Sequence, residues 1–390
     1  LLSLRISPAS LADSTAADQT IGRRDQQALR LCISLIRPVS MFDGMYAAEL
    51  SMTAEALAAR FGTPYERAHS IIGRAVFGCY DRGTKRSESE LLLQELAPHV
   101  ERLGDAHATG DLLAGVAYSH ALSCRWNEVV DAVKASVQSY QSIPESSGFD
   151  IAHTQWLRIW AYWHLGRWDS LFRISDTMFD DAVRRNDQFK QLVVTQAYGC
   201  CAWLGRDRVN ELERLCDIEG RGRKQPTQLL DLFVLIATLQ RMVYNGEYDE
   251  AWSEWKSLQS HVKRLPYRKM QFVRIACHSL GALIALHRRG GDPSSQADHR
   301  IARLIGRLRR ERLACAELQA NLYEGLHQSR QSVGGSQSRS DAARVYLHAA
   351  REQAADLGLL PFQLAAADAL AQIDGDPAVG QLRDAMHLSL

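Results

Sequence analysis

The chain reads GRWDSL over Gly166–Leu171, and a stretch of the same kind returns about every forty residues. The related stretches are GRDRVN at Gly205–Asn210, GEYDEA at Gly246–Ala251 and CRWNEV at Cys124–Val129, where cysteine replaces glycine. From the N-terminus onward, the first residues of the four stretches lie 42, 39 and 41 positions apart. Each stretch follows a run rich in alanine, leucine and aromatic residues. Repetition at this spacing predicts stacked helix pairs rather than one globular core.

Each of these stretches has the features of a turn between two antiparallel helices. Glycine can end a helix because it adopts a left-handed backbone without a Cβ clash. The polar residues Asn127, Asp169 and Asp249 are expected to cap the next helix by accepting its free amide hydrogens. The aromatic residue before each of them is expected to pack onto the seam of the helix pair. These aromatic residues are Trp126, Trp168 and Tyr248.

The sequence therefore predicts an all-α fold, a tetratricopeptide-like α-solenoid of antiparallel helix pairs with a period of about 40 residues. Residues 1–24 are expected to be a lead-in segment from a preceding domain, and residues 25–390 the helical-repeat domain. Flexible loops are expected at 288–297 and at 331–340, where the composition resembles a linker. The first helix is expected to end before Pro38, because proline disfavours a helical residue in front of it.

The composition and charge of the chain argue against several classes of protein. The chain has 390 residues, 46% of them apolar, with a net charge of +1 and a pI near 7.8. A nearly neutral chain has no overall field that would attract nucleic acid or an anionic membrane. No apolar run approaches the roughly 20 residues of a membrane-spanning helix. The eight cysteines form no Cys-x-x-Cys pair; they are expected to be reduced core residues of a cytoplasmic protein.

The sequence contains none of the motifs that carry common catalytic chemistry. A phosphate-binding loop, a dinucleotide-binding glycine motif, a His-Glu-x-x-His pair and a Gly-x-Ser-x-Gly elbow are all missing. His153 and His164 lie eleven residues apart, about three helical turns, so one metal ion could not easily bind both. We therefore expect no catalytic residue, no cofactor and no metal site. This piece alone is not expected to be an enzyme, although a longer parent protein could carry kinase or ATPase activity.

Candidate binding residues lie on the first helices of the central pairs. In repeat arrays these helices line a concave face, and peptides or partner helices commonly dock there. The expected partner is therefore a protein or peptide on the concave face, and the competing interpretation is an ordinary polar surface. The residues expected to line this face are Gln155, Arg158, Tyr162, Gln191, Gln196, Tyr198 and Gln240.

Three tryptophans, Trp156, Trp160 and Trp163, share one face of a predicted helix. The favoured interpretation is the packed core of a helix pair, because this spacing is typical of a buried stripe. The alternative is an aromatic lining that grips a peptide, since tryptophan is enriched at binding hot spots.

A basic stripe is formed by Arg303, Arg307 and Arg310, which lie on one helix face beside apolar residues. The favoured interpretation is the solvated face of an amphipathic helix. The alternative is a contact with nucleic acid or an acidic partner. No aromatic residues are interleaved with the arginines, so a nucleic-acid partner is not expected.

Several further motifs follow one another along the chain: SMFDG at Ser40–Gly44, LAARFGTPYERA at Leu57–Ala68, RNDQF at Arg185–Phe189, YNGEYDEA at Tyr244–Ala251, and the tail over 349–376. Their order resembles the C-terminal helical-repeat arm of large bacterial multidomain serine/threonine kinases. Asn186 stands where that family usually has glycine, and the kinase and NTPase modules are absent from this sequence. The resemblance implies a regulatory or partner-docking arm without catalysis of its own.

Two functional hypotheses follow from the sequence. The leading one is a non-catalytic helical-repeat scaffold for protein–protein interaction, serving as the regulatory or docking arm of a bacterial serine/threonine kinase or signalling NTPase that could be tethered to it. The alternative is a ligand- or nucleic-acid-sensing helical arm of a transcriptional regulator. Neither hypothesis requires a membrane.

Overall fold

The computed structural model describes residues 7–8, 23–80, 84–143, 148–220, 229–263, 270–288, 295–331 and 337–375. Within these ranges the regular structure is helical, with eighteen α-helices and no strand, which confirms the all-α prediction. No helix in the described part of the chain is both long and apolar enough to span a membrane. Nearly all of the predicted lead-in segment lies outside the described residues, as do 289–294 and 332–336 of the two predicted flexible loops. The last residues assigned to those loops, 295–297 and 337–340, are instead helical.

The described chain divides into two compact units. Unit 1 takes in the chain as far as Arg158, together with short pieces around the starts of two later helices. The boundary falls inside the seventh helix. The helices of unit 1 are α1 (Arg23–Ser40), α2 (Gly44–Phe61), α3 (Pro64–Cys79), α4 (Thr84–Leu103), α5 (Ala106–Leu122), α6 (Trp126–Gln141) and the first part of α7 (Gly148–Leu165).

Helix α3 lies at the centre of unit 1. Each helix from α1 to α5 packs against the next one in the chain, and α3 also packs against α1 and α5. The core joins Ile71 and Ile72 of α3 to Leu29 of α1, Leu93 of α4 and Leu112 of α5. The alternate helices α1, α3 and α5 of unit 1 therefore share one buried apolar core.

Unit 2 contains the remaining helices. Helices α15 to α18 pack in sequence, α16 also packs against α18, and α8 packs against α9. A short 3-10 helix at Ala197–Cys200 precedes α10. The helices are the second part of α7, α8 (Trp168–Arg185), α9 (Gln188–Thr195), α10 (Cys201–Leu204), α11 (Val209–Gly220), α12 (Leu229–Tyr244), α13 (Tyr248–Val262), α14 (Gln271–His287), α15 (Ser295–Arg309), α16 (Ala314–Gln331), α17 (Gln337–Asp356) and α18 (Leu360–Asp374).

The four repeated stretches form turns with the same backbone geometry. In each turn one residue has a positive φ, and the next residue donates its amide hydrogen to the carbonyl five positions earlier at 2.9 Å. This is the hydrogen bond of a Schellman helix end. In the third stretch the left-handed residue is Asp207, because Gly205 is still in the right-handed helical region. The left-handed residues are Cys124 (φ 61°), Gly166 (φ 67°), Asp207 (φ 57°) and Gly246 (φ 77°).

The capping prediction was wrong for α6 and α8. Arg125 and Arg167 occupy the cap positions, and neither side chain makes a capping hydrogen bond. Asn127 and Asp169 are each the second residue of their helix. A negative charge in the first turn, as at Asp169, still stabilises the positive end of the helix dipole.

The three seam aromatics keep the same register along the chain. Trp126, Trp168 and Tyr248 are the first residues of α6, α8 and α13. Their burial differs, because Trp126 is buried whereas Trp168 and Tyr248 are half-buried. The three aromatic residues therefore occupy equivalent positions in their helices but differ in how deeply they are buried.

Helix α1 continues past Pro38 to Ser40, so the prediction that it ends before the proline was wrong. A proline so close to a helix end disrupts few backbone hydrogen bonds. The Ser40 hydroxyl donates to the Arg37 carbonyl at 2.7 Å within this last turn. The extension keeps Arg37 in helical geometry.

The cysteines whose side chains the structure describes divide into two groups. Free thiols are found at Cys32, Cys79, Cys200, Cys201 and Cys277. Neither Cys124 nor Cys315 is a free thiol, so the expectation of reduced cysteines was wrong for these two. Disulfides persist mainly in oxidising compartments. The cytoplasmic location therefore stays a prediction.

Replacing glycine by alanine is expected to have opposite effects on the free energy of unfolding at two positions. A Cβ on Gly281 of α14 would overlap the Trp255 ring, whose indole nitrogen donates to the Cys277 carbonyl at 2.8 Å. Gly306 of α15 has open space around its Cβ position. We expect Gly281→Ala to lower the free energy of unfolding by about 1–3 kcal/mol through overpacking. Gly306→Ala should raise it by about 0.5–1 kcal/mol through helix propensity. Urea denaturation of both variants measures this, and equal effects would contradict the packing described.

Candidate functional sites

The structure places two of the predicted binding residues in one cavity. Tyr198 and Gln240 both line a cavity of unit 2. Gln240 is fixed there by a hydrogen bond from the Cys200 thiol to its side-chain oxygen at 2.7 Å. Tyr198 stacks on Trp163, with 4.6 Å between the ring centroids.

The other predicted binding residues do not reach this cavity. Tyr162 and Gln196 are buried, with 5% and 2% of their surface exposed. Gln191 donates its side-chain amide to a backbone carbonyl of α8 at 3.4 Å. Gln155 and Arg158 are half-buried on the part of α7 that belongs to unit 1. The seven residues therefore do not form one continuous surface.

The tryptophan stripe of α7 is divided between the buried core and the wall of a cavity. Trp156 and Trp160 are buried, as the core interpretation expects. Trp163 is half-buried and lines the unit 2 cavity together with Trp168. The last tryptophan of the stripe is thus available to a ligand.

The basic stripe lies on an amphipathic helix. Arg303 and Arg310 are exposed and Arg307 is half-buried, while apolar residues of α15 such as Leu304 and Leu308 are buried. The Arg310 side chain also donates to the Gly306 carbonyl at 3.1 Å. This arrangement is the solvated face that the sequence favoured.

The unit 2 cavity has a volume of about 740 Å³, within the usual range for ligand pockets. Most of its wall comes from elements that alternate along the chain: the end of α7, the 3-10 helix, α12, α14, α16 and α18. The wall is largely apolar. Its larger apolar residues include Trp163, Trp168, Ile236, Leu280, Leu322 and Phe362.

The two ends of unit 2 meet beside this cavity. The rings of Trp163 in α7 and Phe362 in α18 lie 6.0 Å apart in an edge-to-face arrangement. A Cβ on Gly166 would lie only 3.1 Å from the Leu360 Cβ, so glycine allows the chain segments to approach closely. Helices α7 and α18 therefore close the wall of the cavity, a contact that the repeat pattern did not predict.

Polar groups interrupt the apolar wall at a few points. Gln319 is 5% exposed, and its side-chain oxygen is buried without a hydrogen-bond partner among the described residues. One turn further along α16, the hydroxyls of Tyr323 and Ser279 are hydrogen-bonded at 2.7 Å. A buried acceptor without a donor costs roughly 1–3 kcal/mol. A ligand that donates a hydrogen bond to Gln319 would remove that cost.

A second group of polar residues lines a cavity of about 750 Å³ in unit 1. We call His69, His107 and Asp111 the His–Asp cluster. His107 and Asp111 are one turn apart on α5, and the Asp105 side chain caps this helix by accepting from the Ala108 amide at 2.7 Å. His69 comes from α3, whose start is fixed by a capping box.

Asp111 is the centre of the His–Asp cluster. Its Oδ2 atom lies 2.7 Å from His69 Nδ1 and 3.4 Å from His107 Nδ1. Its Oδ1 atom accepts from Arg37 at 2.5 Å and from the Tyr140 hydroxyl. Asp111 is 3% exposed, so both oxygens are satisfied inside the protein.

Two more residues connect this centre to its surroundings. Asp150, at the start of α7, accepts a hydrogen bond from Arg37, and its other oxygen lies 3.6 Å from His107 Nε2. The Tyr65 hydroxyl lies 3.1 Å from His107 Nδ1. Gly110 permits the arrangement, because a Cβ there would lie 2.6 Å from a Tyr140 ring carbon.

The pKa values follow from these contacts. Burial alone would raise the pKa of Asp111, but the charges of Arg37 and His69 outweigh it and hold that pKa well below its usual range. The nearby carboxylate of Asp150 raises the pKa of His107. Burial opposes ionisation of Asp150 too, yet His107 and Arg37 lower its pKa. Both carboxylates are therefore ionised at neutral pH.

The sequence alone did not identify the His–Asp cluster. The i, i+4 spacing of His107 and Asp111 was visible and places both on one helix face. His69 lies 38 positions before His107, and its approach depends on the packing of α3 against α5. No family model, curated protein or solved structure matches this chain. The geometry of the two sites therefore carries the functional argument.

The folded chain is expected to lose stability in acid, because a histidine is buried among aromatic residues beside the unit 2 cavity. Burial of His164 next to Trp163 and Tyr198 lowers its pKa from 6.5 to about 3. The unfolded chain therefore binds a proton at this histidine where the folded chain does not. The free energy of unfolding should fall as the pH is lowered from 6.5 toward about 3.

His164→Gln should reduce this pH dependence. The measurement is the urea midpoint of the wild type and the variant at pH 7 and pH 5, with His348→Gln, at an exposed position of α17, as the matched control. An unchanged difference between the two pH values in His164→Gln would show that another group causes the acid sensitivity.

Proposed function

We propose that the chain is a non-catalytic helical-repeat scaffold that binds a protein partner, with an apolar segment of the partner docked in the unit 2 cavity. The observation that carries this proposal is the cavity wall, which is built mainly from elements that alternate along the chain. Helical-repeat proteins commonly bind partners through one helix of each pair.

The proposed architecture within the units is a tetratricopeptide-like stack of helix pairs with a period of about 40 residues. It is supported by the left-handed turn residues, which lie 42, 41 and 39 positions apart from Cys124 to Gly246. The contacts of α3 with both α1 and α5 also support it.

The chemistry of the wall defines the proposed partner segment. Trp163, Trp168 and Tyr198 provide aromatic surface for leucine-like or aromatic side chains. Gln319 offers an acceptor without a donor, which a main-chain amide of the segment would satisfy. The expected occupant is therefore a short peptide segment with clustered apolar residues.

The biological role proposed for the scaffold is that of a regulatory or docking arm in the cytoplasm. It is supported by the resemblance of the motif order to the repeat arm of bacterial serine/threonine kinases. A tethered or associated kinase or signalling NTPase would then supply the catalysis. The purified chain alone should show no magnesium-dependent ATP turnover in a phosphate-release assay. Saturable turnover that copurifies with the chain would overturn the non-catalytic part of the proposal.

Cavity filling tests the docking site. Displayed peptides are selected on the whole chain, and their affinities are measured by tryptophan fluorescence, since Trp163 and Trp168 line the cavity. Ala276→Phe adds bulk to the cavity wall and should weaken binding at least tenfold. The matched control Ala302→Phe lies at an exposed position of α15 and should leave binding unchanged. Charge reversal at Arg303 or Arg310 should also have little effect.

A second candidate function is ligand sensing within a transcriptional regulator. The cavity volume of about 740 Å³ favours it, because small-molecule pockets have this size. Binding of apolar small molecules that Ala276→Phe abolishes, without any enriched peptide, would decide for this alternative. Peptide binding that is equally strong in Ala276→Phe and the wild type would exclude the cavity as the docking site.

A further inference from the structure

The His–Asp cluster is separate from the proposed docking cavity and has its own chemistry. Among the described residues, His69, His107 and Asp111 each offer a ligand atom, and these atoms lie within 4.8 Å of one another. His69 and Asp111 are buried, while His107 is partly exposed in the wall of the unit 1 cavity. An ion could therefore reach the cluster from the cavity.

We propose that the His–Asp cluster binds a divalent first-row transition-metal ion, and that zinc is the metal to test first. Two imidazole nitrogens and one carboxylate oxygen are a common ligand set for zinc and iron. The ligand atoms assigned are Nδ1 of His69, Nδ1 of His107 and Oδ2 of Asp111. A fourth position would hold water or the Tyr65 hydroxyl, which lies 3.1 Å from His107 Nδ1.

The distances between these atoms are close to those of a bound site. Zinc bonds of about 2.0–2.2 Å in a tetrahedron separate neighbouring ligand atoms by roughly 3.3 Å. Asp111 Oδ2 already lies 3.4 Å from His107 Nδ1. Its 2.7 Å distance to His69 Nδ1 would have to open by about half an ångström, a small side-chain movement.

The outer contacts match those that support metal ligands. A metal-bound histidine usually donates its second ring nitrogen to a carboxylate, and Asp150 faces His107 Nε2 at 3.6 Å. Ligating carboxylates are themselves hydrogen-bonded, as Asp111 Oδ1 is by Arg37 and Tyr140. The donors and their supports are thus both present before any ion binds.

The net charge of the His–Asp cluster and its neighbours is compatible with binding of a divalent cation. Asp111 and Asp150 carry two negative charges and Arg37 one positive charge, so the group is net negative when the histidines are neutral. A dication would change the net charge from −1 to +1 without adding a bare charge to an uncharged interior. His69 Nε2, the ring nitrogen opposite the assigned ligand atom, is buried without a hydrogen-bond partner among the described residues. Its polar capacity is therefore not fully used by the protein.

The competing explanation is a purely structural ion-pair network. To separate the two, the whole chain is stripped with chelator, and zinc is titrated against a chromophoric competitor. Cobalt is added separately as a spectroscopic probe. We expect one zinc per chain and an intense visible cobalt absorption typical of a four- or five-coordinate site. Zinc should also raise the melting temperature, because it binds the folded state.

Variants assign the ligands. His69→Gln and His107→Gln should weaken zinc binding at least a hundredfold. Asp150→Asn should weaken it by about ten- to a hundredfold, as expected for an outer contact. His120→Gln is the matched control, because it lies on the same helix as His107 but outside the cluster, and it should bind like the wild type. Far-ultraviolet circular dichroism shows whether each variant folds.

X-ray absorption of the zinc-loaded wild type keeps the test independent of variant folding. Scattering from two imidazoles and an oxygen ligand supports the proposal. A shell of sulfur at about 2.3 Å would instead locate the zinc on free thiols and overturn it. The absence of stoichiometric binding, or equal binding by His69→Gln, His107→Gln and the wild type, would also overturn it and leave the structural network as the explanation.

Discussion

The path of the central chain depends on one local constraint, the left-handed residue that ends a helix and reverses the chain. At four positions from Cys124 to Gly246 this residue allows a single amide hydrogen to close the preceding helix. The next helix begins at most two residues later, so there is little freedom in where its apolar face points. The aromatic residues at the starts of α6, α8 and α13 follow from this register.

The features that sequence could predict are those set within a few residues. The helices, the four turns and the buried side of α15 depend on residues close together in the chain, and each was visible as a pattern. The capping prediction failed for α6 and α8 because Arg125 and Arg167 occupy the cap positions, and neither side chain makes a capping hydrogen bond. The predicted end of helix α1 was too early, because Pro38 lies so near the end that it removes few helical hydrogen bonds.

The two candidate sites could not be predicted from the sequence because they depend on long-range packing. Gln319 and Tyr198 share a cavity wall although 121 positions separate them, and no local pattern connects them. The same holds for His69 and Asp111, which meet only because α3 packs against α5. Tyr162 and Gln196 were predicted to line a binding surface, but both are buried. Local sequence does not show which side of a helix its distant neighbours will cover.

The Asp111 network also constrains the order in which unit 1 can mature during synthesis. Arg37 is bound by Tyr140 and Asp150, which follow it by 103 and 113 positions. A ribosome adds about 5–20 residues per second, so these partners are made roughly 5–20 seconds after Arg37, while the hydrophobic packing of α1, α2 and α3 can already begin. Tyr140 and Asp150 can join Arg37 only after helices α1 to α5 have been made, so this polar network is completed late in the assembly of unit 1.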